Sequence, residues 1–422
     1  MTKVLQSVLV GVLILGSAII GMFFGRAYNA YGIPAYARRL GVDCEQCHTV
    51  WPRLNAFGRK FKVKGYIDQS DNPGLPIAGR VMTTAQLVTS TPDTGAPGGE
   101  IDFPSQVNLF IGTRLTPQIG IFSAFTMVPT DNGAGGKNWV FSVDEQKYAY
   151  NFLPGKTVSA VAFHSTIFGF DPFPSLGNLA FEGDYSMAPG IMSAGELLSP
   201  FDTSGFGLAV HGFLDPKNHY YGAVGLETGG AAPDTLGLGV GMVDTSHDGL
   251  DYVARFAYTN SVGDSDGTYN IGGAYYGGGQ FPTIQLPTTG NPYGYRGNVS
   301  RFFVDGALQL PIGDDRLFEL IALYGTGSDR NYFIADPTFG KTGPYGAFVN
   351  GGFTQATYYW CKQFGMRATF DISAVNNFTT TGWQFGPVFL PVRDFKVNFD
   401  IGRQSNFNGN SMTYQLIMTK MI

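Results

Sequence analysis

From Ile77 to Ile422 the chain falls into segments of about ten residues in which apolar and polar side chains alternate, divided by clusters of Gly, Pro, Asn and Asp. A strand turns successive side chains to opposite faces, so a period of two predicts β-structure with one apolar and one polar surface. Ser105–Leu115 is the clearest case. Val107, Leu109, Ile111 and Leu115 fall on one side, and Gln106, Asn108, Gly112 and Arg114 on the other. Comparable runs cover 118–128, 157–168, 205–214, 218–228, 235–243, 250–258, 299–311, 364–373, 395–403 and 411–422. So many strands exceed what a soluble β-sandwich needs, and a long sheet escapes its edges by closing on itself. The expected fold is mostly β: a transmembrane antiparallel β-barrel over residues 77–422, with outer-membrane lipid outside. Tyr358, Tyr359 and Trp360, gathered at a segment end, suit an interfacial aromatic girdle.

Composition agrees. With 59 Gly, 14% aromatic and 14% charged residues, and a mean hydropathy of zero, the chain is neither disordered nor a helical membrane protein. After residue 30 no uncharged apolar run reaches ~18 residues, so helical spans are excluded from 31–422. The segments number about seventeen; a single-chain bacterial barrel has an even number, so about 16 strands are expected, with 18 the next count. Loop lengths locate the discrepancy. Counting from the N-terminus puts 90–104, 129–138 and 168–204 outside the cell, and counting back from the C-terminus puts 281–297 and 327–352 there. The two counts disagree by one strand within 168–280.

Alternation also sorts side chains. His164 falls on the face of Ala160 and Ala162, and His211 on that of Gly207 and Ala209, so both are expected to point into the lumen beside small residues that leave space. Arg114, Arg255 and Arg367 are likewise lumenal, Met242 and Met366 face lipid, and His219 and His247 fall at turns.

The N-terminal part is different. Residues 1–30 read as a secretory signal peptide, with Lys3, the apolar stretch Val4 to Phe24 and a small residue at Ala30. That stretch is nearly long enough to span a bilayer, which makes a retained anchor the rival reading. Next comes Cys44-Glu45-Gln46-Cys47-His48, a CxxCH string that points to covalent attachment of one haem c: two thiols add to the porphyrin vinyl groups and the adjacent His supplies the proximal nitrogen. A zinc site would need a second ligand pair, and the only other cysteine is Cys361, expected to be unpaired.

Residues 31–76 are expected to form the haem module. Pro34–Leu40 predicts a short helix closed by Gly41, and a second helix starts near Pro52 and ends at Gly65. Leu54, Phe57 and Phe61 recur on one face and, with Trp51, are expected to pack on the porphyrin. Over 31–69 seven basic residues meet three acidic ones, whereas the whole chain carries −5, so a basic module is joined to an acidic remainder. Arg38, Arg39 and Arg53 are the expected propionate partners. A module of about forty residues rarely sustains its own core. It also has no His or Met between His48 and Met82. The iron is therefore five-coordinate or takes its distal ligand from the barrel, where His211 and His164 are the alternatives.

The run Ile33-Pro34-Ala35-Tyr36-Ala37-Arg38-Arg39, then Cys44 to His48, then Pro52-Arg53-Leu54-Asn55-Ala56-Phe57-Gly58 and Gly65-Tyr66 resembles the cytochrome segment of the fused outer-membrane monohaem cytochrome-porin family. Its best-known members are iron oxidases. The resemblance implies a single haem c held in or under a barrel in the bacterial outer membrane, passing electrons from extracellular Fe(II) inward to a periplasmic cytochrome, an Fe(II):cytochrome c oxidoreductase activity. Only Cys44, Cys47 and His48 carry over as functional residues.

Elementary physics favours the same role, because an electron crossing ~25 Å of apolar band needs an insulated redox centre. Acidic residues such as Glu182, Asp184, Asp264 and Asp266 offer hard oxygen ligands to Fe²⁺, and equally suit plain solvated loops. Two other readings stand. One is a solute-selective porin with a haem plug or sensor, its pore lined by the three lumenal arginines. The other is the same conduit run outward to an extracellular acceptor. An acidic barrel excludes nucleic acid as partner.

Overall fold

The computed structural model describes residues 34–50, 53–67, 77–90, 98–131, 137–153, 157–165, 169–176, 205–228, 250–262, 267–280, 283–285, 292–294, 297–313, 315–336, 341–375, 378–392, 395–406 and 409–421. The signal-peptide reading of 1–30, Trp51, Met242, His247 and the four acidic loop residues lie outside them, as does the side chain of Arg38.

Sixteen antiparallel strands close into one barrel. They are β1 (Ile77–Ser90), β2 (Gly98–Arg114), β3 (Ile119–Asp131), β4 (Lys137–Tyr150), β5 (Val158–Ser165), β6 (Gly205–Phe213), β7 (Tyr220–Thr228) and β8 (Leu250–Ser261). There follow β9 (Thr268–Gln280), β10 (Gly297–Ile312), β11 (Arg316–Asp336), β12 (Lys341–Cys361), β13 (Phe364–Val375), β14 (Phe378–Val392), β15 (Phe395–Asn406) and β16 (Gly409–Met421). Each strand pairs with its sequence neighbour, and β16 pairs with β1 to close the ring. The extra strand in the sequence count was 235–243. It lies outside the described residues, and since β7 pairs directly with β8 the barrel has no place for it. With that run removed the parity slip disappears. The connections 91–97, 132–136, 166–204, 229–249 and 281–296 share one end, and 115–118, 214–219, 313–315 and 362–363 share the other. Short turns mark the periplasmic mouth of such barrels.

Outward positions carry the lipid-facing side chains. Phe206, Leu208, Val224 and Ile271 are each 60% exposed or more, and at the short-turn mouth Tyr220 meets Tyr258 and, elsewhere round the ring, Trp360 meets Tyr358 and Phe364, as in an aromatic girdle. A closed barrel with such a band belongs to the bacterial outer membrane, since closure satisfies every backbone group within the lipid. Tyr359 does not join the girdle: it sits between two outward residues and is 4% exposed inside the barrel.

The lumen is packed. Helix α1 (Pro34–Leu40) and helix α2 (Ala56–Val63) lie inside the barrel, and Tyr36 and Phe61 join Ala78 of β1, Phe110 of β2, Phe122 and Ala124 of β3 and Met421 of β16 in one buried cluster. The approach is close enough to dictate glycines. Gly65 has φ +71 and lies on Ala149, and its carbonyl meets Gly120, where any Cβ would collide with it. From the other side residues 169–176 fold inward, so Phe170 and Phe173 are buried among inward-facing Phe163, Tyr221, Phe303 and Ile321. Full burial of each phenylalanine contributes roughly 1.5–3 kcal/mol.

One ion pair fixes the N-terminal segment to the wall. Arg53 Nε donates to Glu319 of β11 at 2.9 Å with both side chains 2% exposed, and Gln309 donates to the other carboxylate oxygen. Removing one member of such a buried pair strands the other charge. Glu319→Ala is expected to destabilise the refolded barrel by about 3–5 kcal/mol, read as a lowered denaturation midpoint, with Glu319→Gln losing less.

Candidate functional site

Residues 44–48 form one tight unit at the short-turn mouth. Cys44–Gln46 is a single 3₁₀ turn, Cys47 N–H donates to Cys44 O at 3.0 Å, and His48 follows at once in a two-stranded ribbon opposite Leu54. Cys44 is buried, Cys47 and His48 are half-buried, and no disulfide joins the three cysteines. Lys362, in the turn after β12, lies 3.4 Å from Glu45, which places the turn beside that mouth. Among the described residues no three His, Cys, Asp or Glu side chains gather around a point that would hold a bare metal ion. Cys44, Cys47 and His48 are the side chains that would hold a covalent haem, the two thiols by thioether bonds and the imidazole as an iron ligand.

Asn55, which sequence reasoning left without a role, organises this unit. Its N–H donates to Cys47 O at 2.9 Å, its amide donates to Glu45 O at 2.9 Å and Gln46 O at 3.1 Å, and its carbonyl oxygen accepts from Gly58 N at 3.0 Å. The last bond caps α2. Gly58 packs flat on the turn, for a Cβ there would overlap the Cys47 carbonyl. The readable signal was an N-cap residue three before a glycine, next to the haem string.

The other expected site residues divide. Phe57 stacks on Phe61 at 6.3 Å, but Phe61 faces Tyr36 at 5.4 Å and the barrel wall, so it packs on protein and not toward residues 44–48. Leu54 is half-buried beside Gly58. Arg39 donates to Tyr66 O at 2.7 Å and Gly112 O at 3.4 Å, and Arg53 is held by Glu319. Both expected propionate partners are thus committed to anchoring the module, because an arginine inside a packed lumen must find an acceptor there.

His211 is lumenal as expected and 3% exposed. Its Nδ1 lies 3.2 Å from Tyr221 OH, its ring is edge-on to Phe170, and it lines an enclosed pocket with Lys62, Tyr66, Phe122 and Lys147. Those contacts lie at the C-terminal end of α2, whereas the cysteine turn packs at Gly58, one helical turn earlier. The structure does not bring His211 and His48 together in one cavity.

His164 corrects the sequence reading outright. It stands opposite Phe206, whose ring centroid is 4.6 Å away on the lipid side, while Val161 and Phe163 point inward and are 3% exposed. The rule of polar residues inside fails here because Phe170 of the inward segment packs on Phe163 at 5.6 Å, and Gly207 leaves room for the Phe163 ring. Two of the three lumenal arginines are held by carboxylates. Arg255 is clamped between Asp171 at 2.6 Å and Asp305, and Arg367 donates to Asp400 at 2.6 Å, all buried. Asp171 and Ser175, in residues 169–176, were invisible as wall contacts to strand periodicity.

No family model matches the chain, and no curated protein matches it. Solved structures do. A loop-deletion mutant of OmpT, an outer membrane protein of Vibrio cholerae, superposes with a TM-score of 0.53 at 11% identity, over 83% of this chain and 100% of that one. OmpF of Salmonella typhi, solved with daunomycin, gives 0.53 at 12% identity over 83% and 98%. An anion-selective porin from Comamonas acidovorans gives 0.52 at 9% identity over 83% and 100%. The fold is porin-like. At these identities the likeness shows the barrel fold alone and leaves the contents of the lumen to this chain's own residues.

Burial keeps the Cys47 thiol protonated: desolvation, with the neighbouring Cys44 thiol adding to it, pushes Cys47 up to about 11. In chain prepared without covalent haem, iodoacetamide is expected to label Cys47 slowly at pH 8 and progressively faster toward pH 11. A flat rate above pH 9 would show that the thiol is solvated.

Proposed function

We propose that this protein is an outer-membrane electron-transfer protein of the monohaem cytochrome-porin type, with one haem c on Cys44, Cys47 and His48 at the periplasmic mouth of its barrel. The observation that carries this reading is the pairing of a complete CxxCH turn with a lumen packed around its module. Arg53 and Arg39 anchor the module, Tyr36 and Phe61 bury it against β1–β3, and residues 169–176 fill the space above. When bound, such a haem supplies a one-electron centre. The chain's own residues supply attachment at the two thiols, an axial imidazole at His48, and insulation from water on the barrel side. Extracellular Fe(II) is the proposed donor and a periplasmic cytochrome the proposed acceptor. The exposed Glu45 and Gln46 leave one edge of the turn open toward that compartment.

A second reading is supported by the fold likeness, which speaks more directly for it: a solute-selective porin whose haem module is a plug or sensor. The pairing of Arg255 and Arg367 with carboxylates, and the apolar filling between them, weigh against a wide anion path.

Two measurements separate the readings. Anaerobic mixing of the oxidised protein with Fe²⁺ is expected to raise the haem α-band, and a haem that dithionite reduces but Fe²⁺ does not would sink the iron assignment. In planar bilayers the intact protein is expected to show little ion conductance; large, steady channels would favour the porin.

A further inference from the structure

The residues just after the CxxCH string do more than continue the chain, and Asn55 is the reason. We infer that Asn55 is a positioning residue for haem attachment, holding Cys44–His48 in the conformation that presents both thiols and the imidazole together before any haem arrives. The inference rests on the haem reading above and deepens it.

Every polar group of Asn55 but its backbone carbonyl is spent on this task. The side-chain amide donates to two successive carbonyls of the attachment turn, Glu45 O and Gln46 O, and the backbone N–H donates to a third, Cys47 O. The remaining side-chain oxygen accepts from Gly58 N and caps α2, while the backbone carbonyl of Asn55 accepts from Arg59 N at 2.9 Å. One side chain therefore ties a flexible string to a rigid helix end. Gly58 seats the turn from below, because the absence of a side chain lets the Cys47 carbonyl rest on the helix. Arg59 braces the same joint by donating to Leu54 O at 3.0 Å. The three carbonyls face the Asn55 side, so the turn is held by its backbone and its side chains are left to react. Within the 3₁₀ turn itself the backbone supplies the Gln46 and Cys47 amide bonds, and a short turn of this kind is marginal in water without further contacts. Thioether formation at two vinyl groups of one rigid macrocycle needs both thiols in register at once, so ordering the turn in advance raises the yield of the doubly attached product.

The chemistry of the clamp gives a sharp test. Asn55→Asp keeps the acceptor that caps α2, and Asp is as good an N-cap as Asn, but it cannot donate to Glu45 O or Gln46 O. Losing two ordinary hydrogen bonds is expected to reduce the ordered turn about tenfold or more. The full-length chain is expressed in a host that matures c-type cytochromes, and covalent haem is counted by mass on denatured protein, so barrel folding does not hide the result. Asn55→Asp is expected to carry several-fold less haem. The haem it does carry is expected to show the red-shifted pyridine haemochrome band of a single thioether. Glu319→Ala, which removes the carboxylate that holds Arg53 and leaves every Asn55 bond in place, is the control and is expected to load as the wild type does. Equal loading and an unshifted band in Asn55→Asp would leave Asn55 a helix cap and overturn the inference. So would an equal loss in Glu319→Ala, since that is the mark of general unfolding. Wild-type chain with no covalent haem would instead refute the haem reading itself. Gly58→Ala attacks the same turn from the other side, and normal loading in both variants would count doubly against the clamp.

Discussion

Sixteen strands closed on themselves enclose more volume than the side chains of the wall can fill, and what this protein does follows from how it fills that volume. Among the described residues, α1 and α2 enter it from one side and residues 169–176 from the other. Each insert makes a buried ion pair with the wall: Arg53 with Glu319, and Asp171 with Arg255, which also meets Asp305. Buried pairs of this kind add little net stability, but they are costly to mispair, so they fix where the inserts lie. Lys62 of α2 donates to Asp171 O at 2.7 Å, joining the two inserts to each other. The plug, the inward loop and the wall are one packed body.

The barrel was legible because its signal is periodic and redundant. Val107, Leu109 and Ile111 against Asn108 and Gly112 would announce a strand on any one segment, and the even-number rule repaired the single overcount. The lumen was not legible, because period two reports which residues share a face and not which face is wet. At Val161 and Phe163 the apolar set points inward onto Phe170, a residue from a segment with no periodicity of its own. His164 was therefore assigned to the wrong side, whereas His211, beside Ala209 and Gly207 on a strand with strongly apolar outer residues, was assigned to the right one.

The chemistry proposed for Cys44, Cys47 and His48 rests on their spacing in the sequence, and the spacing says little of their surroundings. Arg39 and Arg53 were read as ligand partners because a basic residue near a dicarboxylate ligand is a natural pair, yet the lumen offers each a nearer acceptor, Tyr66 O and Glu319. Asn55 was overlooked for a related reason: a side chain that binds only backbone leaves no charge or hydrophobic pattern to notice.

The cluster of Tyr36 and Phe61 touches both Ala78 of β1 and Met421 of β16. Those two strands form the joint at which the ring closes, where the first and last strands of the barrel meet. A barrel is assembled as a curled ribbon until that joint zips, and an unzipped ribbon has two bare edges. Here the N-terminal segment lies across the joint and holds both sides of it. The module is thus a rivet across the seam of the hoop.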